Sequence, residues 1–486
     1  MNKKIQIPVL ATFAVGVLWT TGLAVRAEQA ESLEELKAKL LELDQKVKTL
    51  ERNSEVEKEA NEAKTKEAPK ITVGDQGFSF GSADGNFSLQ FKGVLQVDSR
   101  SFFDDGGING NDGFLIRRAR PVLQGTVYHD FDFLFVPDFG TGSNGGNSGS
   151  QPTPQIYDAY LNYRYKPELQ LRVGKFKSPV GLEQLVVDVD TLFNERALPT
   201  GLTPNRDLGF ELWGDIADGV VSYAAGVFNG AGDARNSSLS DLEDNKEFAG
   251  RIFIRPFKKL ALPALQGFGF GLGGSYGKPS AAAALPATTG GTLPGYATDG
   301  QQQFFAYNPT NKAVVVANGE HWRLSPQGYY YYGPFGLLGE YVISDQRVSR
   351  TVTAPLTSAR LEHTGWEITG SWILTGEEAA YKGGVVPRQP FNPLEGRWGA
   401  LQVVGRYAEL DIDKGTFPLF ADSTTSAHSA ASWSAGLNWY LNRNVVVKTS
   451  FSHTTFGGGG GAGTTAPAIV TRQPENVLFT RVQLAF

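Results

Sequence analysis

The sequence predicts an all-β transmembrane barrel of about 16 antiparallel strands, preceded by a short N-terminal α-helical coiled coil. Three observations carry this reading. Long stretches alternate apolar and polar side chains with a period of two. Past the N-terminus, no run of about 18 apolar residues could cross a bilayer as a helix. The segment 477–486 alternates to its end and closes on an aromatic: Leu478, Thr480, Val482, Leu484 and Phe486 share one face, and Phe479, Arg481, Gln483 and Ala485 share the other. A closed barrel pairs such a final strand with its first, so that no backbone edge faces lipid. Composition agrees, with 31 Phe, 17 Tyr, 8 Trp and 58 Gly among 486 residues, as amphipathic strands, aromatic girdles and turns require. Cysteine is absent, which excludes a disulfide framework and a thiolate metal site.

The N-terminus reads as an export leader. Lys3 and Lys4 precede an apolar stretch over residues 5–23, and Val25-Arg26-Ala27 offers small residues at the −3 and −1 positions, so residues 1–27 are expected to be a signal peptide cleaved after Ala27. Pro8 and several Thr and Gly residues weaken the alternative of a membrane anchor. From residue 28 to 54 the period becomes helical. Leu33, Leu36, Leu40, Leu43, Val47 and Leu50 form an a/d seam, and Ser32 with Glu35 forms a capping box. So short a helix is marginal alone in water, and assembly with copies of itself would stabilise it. Residues 55–70, rich in charge and alanine, lose the seam and read as a linker.

Residues 71–486 are expected to form the barrel. Phe87, Leu89, Phe91, Leu95 and Val97 share one face, while Ser88, Gln90, Lys92, Gln96 and Asp98 share the other. The pattern returns over 131–139 and 156–165, and Gly/Ser/Asn-rich stretches at 141–150 and 457–465 read as loops. One face suits lipid and the other suits water. These 416 residues allow about 16 strands at roughly 25 residues per strand and loop, and an even number leaves both barrel ends, and the coiled coil, in the periplasm.

Enzyme motifs do not survive their context. Gly269, Gly271 and Gly274 satisfy a dinucleotide fingerprint, but Phe268, Phe270 and Leu272 alternate with glycine as in one strand, where the fingerprint needs a strand, a turn and a helix. The nucleophile-elbow pattern at 273–277 fails because no helix follows before Pro279. The histidines at 129, 321, 363, 428 and 453 lack ligand spacing. No catalytic residue, cofactor, metal or nucleic-acid partner is expected.

The stretches FLIRRARPVLQGTVYHDFDFLFVPDFG, DAYLNY, VGKFKSPVGLE, ERALPTGLTPNRDLG, GVFNG, AGRIFIRPF, LPGYATDGQQQFFAY, LSPQGYYYYGPFGLLGEY and AELDID occur in that order across nearly all of residues 71–486. Together they resemble the phosphate-selective porin O and P family. The resemblance implies a trimer of 16-stranded outer-membrane barrels in a Gram-negative-type envelope, each with its own pore for small hydrophilic solutes, anions such as phosphate among them. It also implies basic side chains on the pore wall that replace part of an ion's hydration shell without holding it too tightly for release. On this basis RRAR supplies Arg117, Arg118 and Arg120, GKFK supplies Lys175 and Lys177, and Lys92 lies on a water-facing phase. Arg118 and Arg120 share a face with Gln124 and are expected to point into the lumen. Arg117 has the opposite phase unless a bulge intervenes. Against a strongly anion-attracting mouth, residues 231–247 carry Arg235 and Lys246 among Asp233, Asp241, Glu243, Asp244 and Glu247, and the barrel holds 33 basic against 38 acidic side chains. The alternative is a general, weakly selective porin whose coiled coil tethers the envelope through a periplasmic or cell-wall partner.

Overall fold

The two-residue alternation closes on itself as a wall of strands. A computed structural model describes residues 25–67, 69–103, 110–141, 154–237, 239, 244–279, 293–307, 314–351, 357–462 and 469–486. The chain divides into two units, residues 1–68 and 69–486.

The first unit contains α1, Val25–Glu67. Of the expected leader, residues 1–24 lie outside the described residues. The helix does not stop where the seam ends. It runs on through residues 55–67, where a linker was expected, because Glu, Lys and Ala are strong helix formers and neither Gly nor Pro interrupts them before Pro69. Exposed pairs at i,i+4, Glu35–Lys39 at 3.8 Å, Glu42–Lys46 at 2.7 Å and Asp44–Lys48 at 2.7 Å, each contribute about 0.3 kcal/mol. Leu33, Leu36, Leu40, Leu43, Val47 and Leu50 are all exposed.

The second unit is a closed barrel of 16 antiparallel strands. They are β1 (Phe87–Phe103), β2 (Gly113–Val127), β3 (Phe131–Asp138), β4 (Gln155–Lys166), β5 (Leu169–Lys177), β6 (Arg206–Ile216), β7 (Val221–Phe228), β8 (Glu247–Ile254), β9 (Phe268–Gly277), β10 (Val314–Tyr332), β11 (Phe335–Thr351), β12 (Thr357–Ile373), β13 (Ala400–Asp411), β14 (Ala427–Tyr440), β15 (Val445–Ala462) and β16 (Glu475–Ala485). Each pairs with the next, and β16 closes on β1 with Asn476 opposite Phe103 and Ala485 opposite Val94. Phe486 and Gly93 exchange backbone hydrogen bonds at 3.0 and 3.1 Å. Beyond them a hairpin, Lys70–Gly74 with Gly77–Gly81, takes over pairing along β1, with Phe78 opposite Phe91. Every strand is therefore paired on both sides over part of its length and the sheet has no open edge, the condition for crossing a bilayer. The glycine-rich stretch 268–277 is one strand, β9, as its alternation predicts.

Connections alternate in length around the barrel. At one end they are mostly tight, as at 167–168, 333–334 and 441–444; at the other they are long, as at 178–205, 229–246 and 278–313. Burial is inverted relative to a water-soluble protein. In β16, Arg481 and Gln483 are buried while Val482 and Leu484 are exposed, and Phe210, Leu212, Phe248, Ile252 and Trp433 likewise face outward. Such an apolar exterior over a polar interior is the pattern lipid demands.

Among the described residues, three segments fill the interior. Residues 178–205, between β5 and β6, cross the lumen. Residues 293–307 enter from the long-loop end, where Tyr296, Phe304 and Phe305 pack on Leu198, Leu202 and Leu410. Residues 374–399, between β12 and β13, rise from the tight-turn end: the Tyr381 hydroxyl donates to the Leu182 carbonyl at 2.7 Å and the Gly383 amide to Asp190 at 2.8 Å.

Candidate functional site

The crossing segment 178–205 is held by side chains from nearly the whole wall. It contains one helical turn, Leu182–Leu185, and a 3-10 turn, Leu198–Leu202, so many of its backbone groups need partners from outside. Glu340 on β11 accepts from the amides of Leu182 and Glu183 at 2.8 and 3.1 Å. Gln327 donates to the Val180 carbonyl at 2.8 Å, Gln96 to Asp188 at 3.2 Å, Gln483 to Val189 at 3.0 Å, and Asn438 to Leu192 at 2.9 Å. Lys448 donates to the Thr191 carbonyl. The wall thus holds this segment at many points along its path across the lumen.

The RRAR arginines belong to this anchorage. The pairing of β1 with β2 steps from Gln96–Arg118 to Val97–Ile116, so Arg117 is the extra residue of a bulge. That bulge turns Arg117 inward despite its strand phase. Its guanidinium meets Glu195 of the loop at 2.6 Å through Nε and 2.9 Å through Nη2. Arg118 lies 3.4 Å from Asp188 and donates to Gln96 at 2.7 Å. Arg120 pairs with Asp138 at 2.7 Å, with Asp188, and lies 3.5 Å above the ring of Tyr157, a residue that a second bulge turns inward. Arg117, Arg118 and Arg120 are 4%, 5% and 8% exposed, so all three face inward but none is open to a passing ion. Arg100, Arg196 and Arg481 join the same network through Glu195, Asp188 and Asp98. Burial would push the Asp188 carboxyl up, but Arg118, Arg196 and Arg120 hold it well below the usual carboxylate range. Glu195 is likewise lowered against its burial, mainly by Arg117.

The candidate lysines separate. Lys175, expected beside the constriction, falls on the outward phase with Val173 and Leu171; it is buried, and its Nζ donates to the Ser237 carbonyl at 2.7 Å. Gly174 next to it has φ +132°, and a Cβ there would lie 2.2 Å from the Ala159 carbonyl oxygen, so a residue with a side chain does not fit the strand. Lys177 stands at the entry of the loop and donates to the Val186 carbonyl. Lys92 is half-buried on the inward phase of β1 and has no carboxylate within 4.0 Å among the described residues.

Lys177 also borders a cavity of about 1020 Å³ between the loop, the wall from β5 to β10 and the segment 374–399. Arg172, Arg251, Arg255, Lys258 and Lys382 line it, against Glu211, Asp215 and Glu378. Arg172 is paired with Glu211 at 3.4 Å and lies 4.8 Å from the Trp213 ring centroid. Arg251 donates to Gln327 at 2.7 Å and leaves Nη2 without an acceptor. Among the described residues, Lys177, Arg251, Arg255 and Lys382 have no carboxylate within 4.0 Å. Phe253, Tyr329 and Tyr381 stack in series at 4.8 and 4.9 Å between centroids. The sequence offers one signal for this site: Arg251 shares the inward phase of β8 with Glu247 and Phe253.

A profile of the family described as phosphate-selective porin O and P matches residues 89–458. A search of curated proteins found no match to the sequence. Solved structures of similar form include an anion-selective porin from Comamonas acidovorans, at 11% identity and TM-score 0.48, covering 82% of this chain and 100% of that one. The outer membrane channel DcaP of Acinetobacter baumannii is 9% identical with TM-score 0.49, covering 82% and 98%. OmpT of Vibrio cholerae in its trimer form is 10% identical with TM-score 0.46, covering 82% and 99%.

Proposed function

Since the chain belongs to the phosphate-selective porin O and P family and is an outer-membrane porin, we propose that it forms a homotrimer whose pores pass small anions, phosphate among them. We further propose that residues 178–205 are the constriction loop and that selectivity comes from cations beneath it. The observation that carries this is the contrast between two basic groups. Arg117, Arg118 and Arg120 are each matched to a carboxylate and act as the loop's anchors. Lys177, Arg251, Arg255 and Lys382 border open space without that compensation. A fixed charge in a confined path with low-dielectric walls acts more strongly than one on an open surface, and weak, multiple sites let an ion leave as well as enter. The tight-turn end, with both termini of the barrel, faces the periplasm in this reading, and the cavity is the periplasmic vestibule.

Reversal potentials in asymmetric potassium chloride test the proposal. The wild-type trimer is expected to prefer anions, and Arg251→Gln with Arg255→Gln to lower that preference several-fold, most at low salt where screening is weakest. A wild-type channel without anion preference would overturn it. The exposed heptad seam of α1 favours an added role: the helices of three copies associate in the periplasm, where they offer a surface for a periplasmic or cell-wall partner.

A further inference from the structure

The vestibule carries more information than its charge. Its cations alternate with aromatic rings: Trp213, Tyr331 and Tyr381 line the same space as Arg251, Arg255 and Lys382. Tyr381 arrives on a segment that enters from the tight-turn end and is fixed twice, by its hydroxyl on Leu182 and by its stack on Tyr329. Trp213 donates from Nε1 to Asn162 at 2.8 Å and Tyr331 lies 5.5 Å from Tyr329 between centroids, so each ring has a partner in the wall before any solute arrives. A small hydrated oxyanion meets the cations of such a wall but gains nothing from its rings, since it loses water against each of them. A solute with one carboxylate and one flat apolar face matches both surfaces.

We propose that this vestibule is a binding site for planar aromatic carboxylates. The carboxylate sits against Arg251 and Arg255, with Lys382 beside it, and the ring lies against Trp213, Tyr331 and Tyr381. Arg251 suits this role because its Nε is oriented by Gln327 and its guanidinium lies 4.4 Å from the Phe253 ring centroid, while the buried Nη2 lacks an acceptor, which a ligand oxygen would supply. Arg172, held by Glu211 and the Trp213 ring, instead stiffens the aromatic wall. The cavity volume of about 1020 Å³ leaves room for the ring and its remaining water. This inference rests on the anion-channel reading above.

The test uses full-length trimers in planar bilayers, with benzoate, cyclohexanecarboxylate, acetate and inorganic phosphate as probes of current noise and block. Benzoate is expected to bind roughly 10-fold more tightly than acetate or cyclohexanecarboxylate. Trp213→Leu and Tyr381→Leu should each lower the benzoate-to-acetate affinity ratio, and Arg251→Gln should weaken both ligands together. If benzoate binds no better than acetate or cyclohexanecarboxylate in a wild-type channel that does prefer anions, the aromatic site is overturned and the channel reading stands. A wild-type channel with no anion preference overturns both. Because the comparison of probes needs no variant, loss of folding in either aromatic substitution leaves the outcome decisive.

Discussion

Arg118 and Arg120 hold opposite partners of a buried network, and that decides what their removal does. Replacing both by Ala leaves Asp188 with Arg196 alone and takes from Asp138 its ion-pair partner, at a cost of about 3–5 kcal/mol for the buried carboxylate left unpaired. The expected outcome is a loosened constriction loop: single-channel conductance rises and becomes noisy, and folded trimers melt at lower temperature. The reversal potential should move less than in Arg251→Gln with Arg255→Gln, and a larger shift in the anchoring double variant would return selectivity to the RRAR motif. The same network sets a pH response. Asp188 and Glu195 are held below their unfolded values, so their stabilisation is fully present above the ordinary carboxylate range, about 4, and is lost as pH falls through their lowered values. Conductance should therefore show no step from these groups between about pH 5 and 8. Titration of bilayer currents into strong acid should reveal the loop's release well below that range.

The segment 374–399 gains its place through a few contacts with the constriction loop and the wall: Tyr381 on Leu182 and Tyr329, Gly383 on Asp190, and the Ala379 amide on the Gly333 carbonyl at 2.7 Å. Replacing residues 378–386 by a short Gly-Ser linker should leave the barrel closed, because no strand pairing involves them, and should widen the vestibule. Higher conductance with weaker anion preference is the expected reading, since Lys382 leaves with the segment. At the other end of the chain, α1 presents an apolar seam with charged flanks. Changing Leu36 and Leu43 together to Asp places charges in that seam and should abolish helix association, with barrel trimers and their conductance retained. Cross-linking of a cysteine introduced on α1 would follow the loss directly. Loss of conductance in the same variant would show that the helices take part in the pore.

For the whole molecule, stability comes from closure of the sheet. No disulfide is possible without cysteine, and β16 must find β1 across a sequence separation of nearly the whole barrel before any strand is free of an open edge. Gly93 sits at that junction, where a Cβ would lie 2.7 Å from the Phe486 ring. Gly93→Val forces the ring away and weakens the last closing pair, so the fraction of chain migrating as a heat-modifiable folded species on mild electrophoresis should fall. An unchanged fraction would show that the hairpin at 70–81 closes the seam by itself.

What the sequence alone determined is the part of the molecule written in local periods. Alternation along 87–98 and 477–486 states which face meets lipid, because neighbouring side chains on a strand must point to opposite sides, and the leucine spacing in α1 states its helical period in the same way. The inward direction of Arg118 and Arg120 followed from the same rule. Tertiary structure decided the rest. Arg117 changes face through a one-residue bulge that no local pattern announces, and Lys175 is taken up by the Ser237 carbonyl of a loop far along the chain. Whether a cation is spent on a partner or left to meet a solute depends on carboxylates such as Asp188 and Glu195, which reach the wall only when residues 178–205 cross the lumen. Arg251 and Lys382 become neighbours of one cavity for the same reason: charge compensation acts through space, and only the closed barrel fixes which charges are near each other.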